Sequence, residues 1–437
     1  MLRVATFLVI SCIAVPLQAQ SWETLPSAPV TSRHNDVYFV SPDTGWVVDG
    51  SARIHRTHDG GQTWEEQFFQ HETHLRSVAF LDAQRGWAGN VGPGEFSTTD
   101  PNILYSTIDG GDTWTPVDEF DGPEPAGLCG MYVVNDSMIV AVGRVRGPSI
   151  FVKTVDGGQT WTSKDMSGQA AGLIDVYFPH PDTGFAVGLT NSNHNLSRGV
   201  VLATTDGGVT WETRFTTTRT GEWNWKLSFP TRSTGYASLQ RNERSPIYFL
   251  KTSDGGETWE EKLFMSSHYF VQGIGFADEN TGWIGGNSTD PAYQTTDGGE
   301  TWQPLEIGKR LNRFRFLNDS LGYAVGETVH KFNFRQVTGI EDHDRPDPTA
   351  GAIHPNPFHD RTTLRYDVET HEHVHVAVFD ALGRRVRTLV ERVQPAGSYT
   401  VEWDGTTDGG RISATGIYYV VIRSGAAVRT RPVVRLR

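Results

Sequence analysis

Cysteine is almost absent from this chain. There are two in 437 residues, and one of them, Cys12, falls in an apolar leader. With the leader removed only Cys129 remains, so no disulfide is expected and the fold must hold by packing alone. A single cysteine beside strand-like sequence reads as a small buried apolar residue rather than a nucleophile. Long apolar runs are missing as well. Beyond the leader no segment is long and apolar enough to span a membrane. Positive charge is the minority sign, 38 Lys and Arg against 51 Asp and Glu, for a net charge of −13. That balance argues against a nucleic-acid partner, since such proteins present a basic face.

One eight-residue phrase occurs six times. Every copy reads Thr-x-Asp-Gly-Gly-x-Thr-Trp, from Thr57–Trp64 to Thr295–Trp302. The aspartates are Asp59, Asp109, Asp156, Asp206, Asp254 and Asp297; the tryptophans are Trp64, Trp114, Trp161, Trp211, Trp259 and Trp302. A period near 50 residues with β-rich units means a propeller or array in which each unit leans on the next. Asp-Gly-Gly is a hairpin signal: the glycines supply positive φ, and the carboxylate can accept hydrogen bonds from turn amides. A calcium loop is the rival reading. It is set aside because no copy carries the carboxylate spacing and the later bidentate Glu of an EF-hand. No metal and no cofactor are expected.

A second phrase lies upstream of each copy: an apolar strand, a polar turn, then Gly-aromatic and a further apolar run. Val37–Val40 with Gly45-Trp46 is the first, and Phe314–Leu317 with Gly322-Tyr323 the last. A degenerate copy at Met131–Val134 and Met138–Val142 brings the count to seven. The period-two alternation is that of half-buried strands. The seventh unit has no Asp-Gly-Gly, but Ser21-Trp22-Glu-Thr-Leu25-Pro matches the strand that follows each of the others. The expected fold is all-β: a seven-bladed β-propeller over 20–336, closed by the N-terminal strand, which would remove two free sheet edges.

These features resemble known families. The repeated phrase resembles the Asp box, or BNR repeat, of sialidase-like propellers, where it lies between the third and fourth strands of a blade. The blade count and the Gly-Trp phrase resemble the photosystem II stability/assembly factor-like propellers. That resemblance implies a non-catalytic, chaperone-like binder. The sialidase comparison implies three arginines, a Tyr activated by a Glu, and an acid Asp. The Arg-Ile-Pro phrase of those enzymes is absent here; Arg53-Ile-His is the nearest string. Xyloglucanase-like enzymes carry Asp boxes on two propellers, and this chain has one.

The two ends of the chain speak to destination. Val4–Val15 followed by Pro16-Leu-Gln-Ala19 reads as a signal peptide over 1–19. Val9-Ile-Ser-Cys12 also fits a lipoprotein box, although the apolar run continues past Cys12. A polar linker is expected over 337–349. From 350 to 437 short strands alternate with Gly, Asn and Asp turns, the pattern of a small Ig-like β-sandwich. Pro355-Asn-Pro-Phe358, Asp380-Ala-Leu-Gly-Arg-Arg-Val386 and Gly416-Ile-Tyr-Tyr419 together resemble the type A C-terminal sorting domain of the type IX secretion system. That implies passage through the outer membrane of a bacterium of the Bacteroidota or a near relative, with the type IX machinery as partner. The ending Arg429-Thr-Arg-Pro-Val-Val-Arg departs from the Lys common there. His371, His373 and His375 share one face of a strand, a possible metal set read as a solvated face.

Functional residues are expected just before the inner strands, where loops converge on one mouth of the ring. Those positions hold Arg33, His34, His74 and Arg76, then Trp223, Trp225 and Lys226. They continue with His268, Tyr269, Asn312 and Arg313. In an acidic protein the set is basic and aromatic, and Trp, Tyr and Arg dominate binding hot spots. The insertions Val91–Asn102 and Asn191–Arg198 read as rim contacts or, more simply, tolerated loops. The function expected is non-catalytic binding of a protein or glycan by a secreted or surface protein. The alternative is a secreted glycoside hydrolase, which needs two carboxylates converging on the channel mouth, one with a raised pKa.

Overall fold

A computed structural model describes residues 19–318, 320–335, 353–368, 371–380, 385–424 and 427–436. The leader up to residue 18 and the linker 337–349 lie outside the described residues, as do positions 381–384 of the Arg-rich turn. The chain divides into two compact units, Met1–Thr338 and Gly339–Arg437.

The first unit holds seven four-stranded antiparallel sheets, and no α-helix occurs among the described residues. Six sheets are sequential meanders; we number them blades 1 to 6 from the one that starts with His34–Phe39. The inner strands of blades 2 to 6 are Leu75–Phe80, Gly130–Val133, Gly172–Tyr177, Trp223–Ser228 and Val271–Phe276. Blade 7 contains Arg313–Asn318, Leu321–Val325 and Val329–Arg335, and its fourth strand is Ala19–Thr24 from the other end of the chain. Trp22 lies opposite Phe332 in that antiparallel pairing.

The Gly-aromatic phrase has a physical reason on both of its residues. A Cβ on Gly45 would sit 2.5 Å from the ring of Phe39, which lies flat across the glycine from the neighbouring strand. The aromatic that follows then reaches the next blade. Trp46 stacks on Phe80 with ring centroids 3.4 Å apart, Tyr236 on Phe276 at 3.5 Å, and Tyr323 of blade 7 on Phe39 of blade 1 at 3.6 Å. Each such pair contributes roughly 0.5–1.5 kcal/mol beyond its buried area.

Each Asp-Gly-Gly turn connects the third and fourth strands of its blade. In the first, the Thr57 hydroxyl donates to Asp59 Oδ1 at 2.9 Å and accepts from Gly61 N at 2.8 Å. Thr63 donates its amide to Oδ1 at 2.8 Å and its hydroxyl to Oδ2 at 2.6 Å. Gly60 and Gly61 have φ of 70° and 94°, which a Cβ would strain. The turn is also a clamp. Gly60 N donates to Asp43 O in its own blade, and Gly60 O accepts from Lys331 Nζ of blade 7 at 3.2 Å. Trp46 and Arg56 serve Gly110 in the same way, and Lys251 serves Gly298. Five of the box tryptophans pack edge-on against the Phe at the end of the inner strand, as Trp64 does on Phe39 and Trp259 on Phe229, while Trp161, whose blade has no such Phe, meets Trp87.

The Thr63 hydroxyl, then its amide, hold the Asp59 carboxyl down to about 2. The equivalent threonines act on Asp109, Asp206, Asp254 and Asp297 alike, and Asp156 is lowered too. A carboxyl depressed below its unfolded value of about 3.9 contributes stability above that value and loses it as pH falls through the folded pKa. Thermal melts should therefore fall progressively from about pH 5 toward pH 2, and carboxyl NMR titrations should place these six midpoints well below the ordinary aspartate value. Ordinary midpoints would show that the box hydrogen bonds do not persist in solution.

The second unit is a sandwich of a three-stranded and a four-stranded sheet. Strand Thr362–Val368 is central to the first, flanked by Ile353–His354 and Gly397–Trp403. Strands Glu372–Asp380 and Gly416–Ser424 are central to the second, between Arg385–Gln394 and Ala427–Arg435. Phe358, Tyr366, Val376, Trp403 and Tyr418 fill the space between the sheets. On the outer face both His373 and His375 meet one carboxylate, Glu391, at 3.3 and 3.1 Å. Among the described residues no group of three or more His, Cys, Asp or Glu is arranged to hold a metal ion.

Candidate binding mouths of the central channel

The inner strands carry a device that a plain alternating strand lacks. Five of the seven slip register near their start, at His34/Asp36, Leu75/Ser77, Leu173/Asp175, Asn224/Leu227 and Val271/Gly273. A β-bulge sets two residues against one and re-aims a side chain. Counting on from the bulges aligns Asp36, Ser77, Gly130, Asp175, Lys226, Gly273 and Arg313 as one layer across the ring. Two residues further on, on the same strand face, come Tyr38, Ala79, Tyr132, Tyr177, Ser228, Gly275 and Arg315.

The first layer is an ionic septum. Arg313 of blade 7 donates twice to Asp175 of blade 4, at 2.9 and 2.8 Å, and its Nε lies 3.0 Å from Asp36 Oδ1 in blade 1. Arg315 grips Asp36 with two bonds of 3.0 Å. Val37, Val78 and Leu227 add their amides to the two carboxylates. Burial pushes the Asp175 carboxyl up, but Arg313 and then Lys226 outweigh it and hold it at about 2. Asp36 is lowered by Arg313 and Arg315 against the same burial. Lys226, with Nζ 4.0 Å from Asp175 and no hydrogen bond, is pushed down to about 7 by burial and then by Arg313.

Two cavities flank the septum and share no lining residue. The upper one, at the strand starts, encloses about 400 Å³. Arg33, His74, Trp223 and Trp225 line it, as expected positions, with Asn35, Gln240, Gln272 and Arg310. Phe96 from the first insertion stacks on His74 at 4.6 Å, and His194 of the second packs edge-on against Trp223 at 5.0 Å. Arg33 donates to Asn35 and Gln272 but makes no ion pair among the described residues. Burial, then Arg76 and Arg310, lower its pKa to about 9, and burial, then Arg76 and Arg33, push His74 to about 3. Arg76, 1% exposed, sits over the ring of Trp225 at 5.3 Å, with Nε and Nη2 unpartnered. No carboxylate lines this cavity among the described residues.

The expected face therefore divides. Lys226 and Arg313 are not loop residues at a mouth; the bulges and pleat place them in the septum, and Arg76 is buried above it. His34 and Asn312 are fully buried and structural: His34 Nε2 bonds the Pro29 carbonyl, and Asn312 Nδ2 donates to His34 O. Tyr269 is buried among Phe264 and Tyr293 and donates to Pro291 O. His268 is exposed, and its Nε2 accepts from the Glu243 amide. Asp36 and Asp175 were missed, though the phrase Asp-Val-Tyr-Phe that carries both, at 36–39 and 175–178, was there to be read. Cys129 is buried and unpaired.

Residues 15–121 match the protein family described as photosynthesis system II assembly factor YCF48, and residues 359–427 match the FlgD Ig-like domain. No curated protein matches the chain. Among solved structures, YCF48 bound to D1 peptide is similar with a TM-score of 0.54 and 19% identity, covering 72% of this chain and 95% of that one. PorZ, an essential surface component of the type IX secretion system of Porphyromonas gingivalis, gives 0.52 and 12%, covering 94% of this chain and 60% of that one. An ancestral GH74 enzyme gives 0.52 and 12%, covering 95% and 63%. At these identities the likeness is one of fold, a β-propeller.

Proposed function

We propose that the propeller is a non-catalytic binder that holds an acidic peptide segment of a protein partner in its upper mouth. The observation that carries this is the pair Arg33 and Arg76. Arg33 lines the cavity and Arg76 lies behind two of its lining residues, Asn35 and Trp225; neither has an ion-pair partner among the described residues, and each depresses its neighbours. Unmatched guanidinium groups beside indole and phenyl walls suit a carboxylate carried on an extended chain with apolar side chains. The similar YCF48 structure holds a peptide, which agrees with a protein ligand. The glycoside hydrolase reading needs two convergent carboxylates. Those of the channel, Asp36 and Asp175, are locked to arginines and lowered rather than raised.

Two further readings belong here. The pairing of Ala19–Thr24 with blade 7 acts as the latch that closes the ring and so fixes both mouths. The sandwich serves export through the type IX machinery, which places the propeller outside the cell; the Ig-like match and the PorZ likeness over both units agree with that.

The test is a peptide array probed with the full chain and with Arg33→Glu, a half-buried position where the swap leaves the septum intact. Acidic peptides should be retained over basic ones, and Arg33→Glu should weaken them about tenfold or more, with strong salt dependence. Equal binding by both proteins, or hydrolysis of xyloglucan by the wild type, would overturn the reading.

A further inference from the structure

The lower cavity has a different chemistry. It encloses about 350 Å³ on the far side of the septum, within the range of small-ligand sites. Its wall is the second layer of the channel. Tall residues stand on four blades, Tyr38, Tyr132, Tyr177 and Arg315, while Ala79, Ser228 and Gly275 leave room on the other three. Tyr132 and Tyr177 meet edge-on at 5.1 Å, and Arg315 lies over Tyr38 at 5.3 Å. None of the three phenol hydroxyls has a hydrogen-bond partner among the described residues, and none is sealed from solvent. Arg315 spends Nε and Nη2 on Asp36, which leaves Nη1 free.

The charges that reach the floor are already paired. Arg313 and Arg315 pair with Asp36 and Asp175 in close geometry, and the third cation of the septum, Lys226, does not line this cavity. A charged ligand would find no unmatched counter-ion there, in contrast to the upper mouth. What remains on offer is aromatic faces, three hydroxyls that both donate and accept, and one N–H donor. That set matches a ligand with an apolar face and a ring of hydroxyls. We propose that the lower mouth is a second, independent site for a neutral carbohydrate, one or two sugar units deep, which stack on Tyr132 and Tyr177 and hydrogen-bond the phenols and Arg315.

An array of neutral and sialylated glycans tests this, probed with the full chain, Tyr38→Phe/Tyr132→Phe and Arg33→Glu. The double variant keeps both rings, so its melting temperature should stay near that of the wild type. Neutral glycans should bind the wild type and Arg33→Glu equally, with about fivefold loss per hydroxyl removed, roughly 25-fold in the double variant. No neutral glycan bound by the wild type, retention by the double variant, or loss in Arg33→Glu would each overturn the proposal. The Arg33→Glu arm also separates it from the upper-mouth reading: acidic-peptide binding can fail while neutral-glycan binding holds, and the reverse.

Discussion

Replacing Arg313 with methionine is expected to destabilise the propeller by about 3–5 kcal/mol, the range for breaking a buried ion pair by removing one partner. Arg313 is 5% exposed and the only cation in hydrogen-bonding contact with Asp175 among the described residues. It ties blade 7 to blade 4 through Asp175 and to blade 1 through Asp36. Without it Asp36 keeps Arg315, but Asp175 keeps only the Leu227 amide and a lysine at 4.0 Å. Lys226 softens the loss. Burial and then Arg313 hold its pKa near 7, so its charge rises once Arg313 is gone.

Urea unfolding at pH 7 measures the effect, and two further readings make it specific. The pair Arg313→Met with Asp175→Asn should recover at least half of the loss, since no buried charge is left alone. The difference between wild type and Arg313→Met should shrink as pH falls toward 2. Asp175 has a folded pKa below its unfolded one, so the stability it contributes is present above about pH 4 and disappears as it protonates. A single-variant loss under about 1 kcal/mol would mean that the septum is a solvated cluster rather than a buried tie.

Why the septum escaped the sequence while the blades did not is a matter of register. The box and the Gly-aromatic phrase are local. Gly60 and Gly61 need positive φ, Gly45 must admit the ring of Phe39, and each requirement leaves one residue type in one place. Repeated six times, such requirements count blades without reference to anything distant. The likeness of Ser21-Trp22 to the strand after each box is local in the same sense, and the observed pairing with Val329–Arg335 follows it. The channel lining depends on which face of a strand looks inward, and one bulge reverses that. A simple alternation from Val37 cannot show that Asn35 and Asp36 both serve the channel. Arg76, Lys226 and Arg313 thus looked like loop cations at a mouth. Phe96 was hidden for another reason: an insertion has no repeat to be compared with, so its one aromatic looked like any other loop residue.

Trp22→Ala should lower stability by about 3 kcal/mol, near the lower end for loss of a packed tryptophan because the residue is half-buried. Its ring meets Phe332 of its own sheet at 5.2 Å, Trp283 of blade 6 at 5.3 Å and Phe314 at 5.8 Å. It therefore joins the first strand of the chain both to the last blade and to the blade before it. Glu23→Ala, an exposed neighbour on the same strand, should change stability by less than about 0.5 kcal/mol. A chain that lacks residues 1–24 should suffer more. Val329–Arg335 would then be an open edge strand with an unpaired ladder, and size-exclusion chromatography should find it dimeric or aggregated. Adding a synthetic peptide of residues 19–30 should return it to a monomer, because the peptide restores both the ladder and the Trp22 contact. A truncated chain that stays monomeric and melts like the full one would show that the seventh blade holds on three strands, and that its contacts with blade 1, the stacking of Tyr323 on Phe39 and the bond from Lys331 to Gly60, suffice to keep it in place.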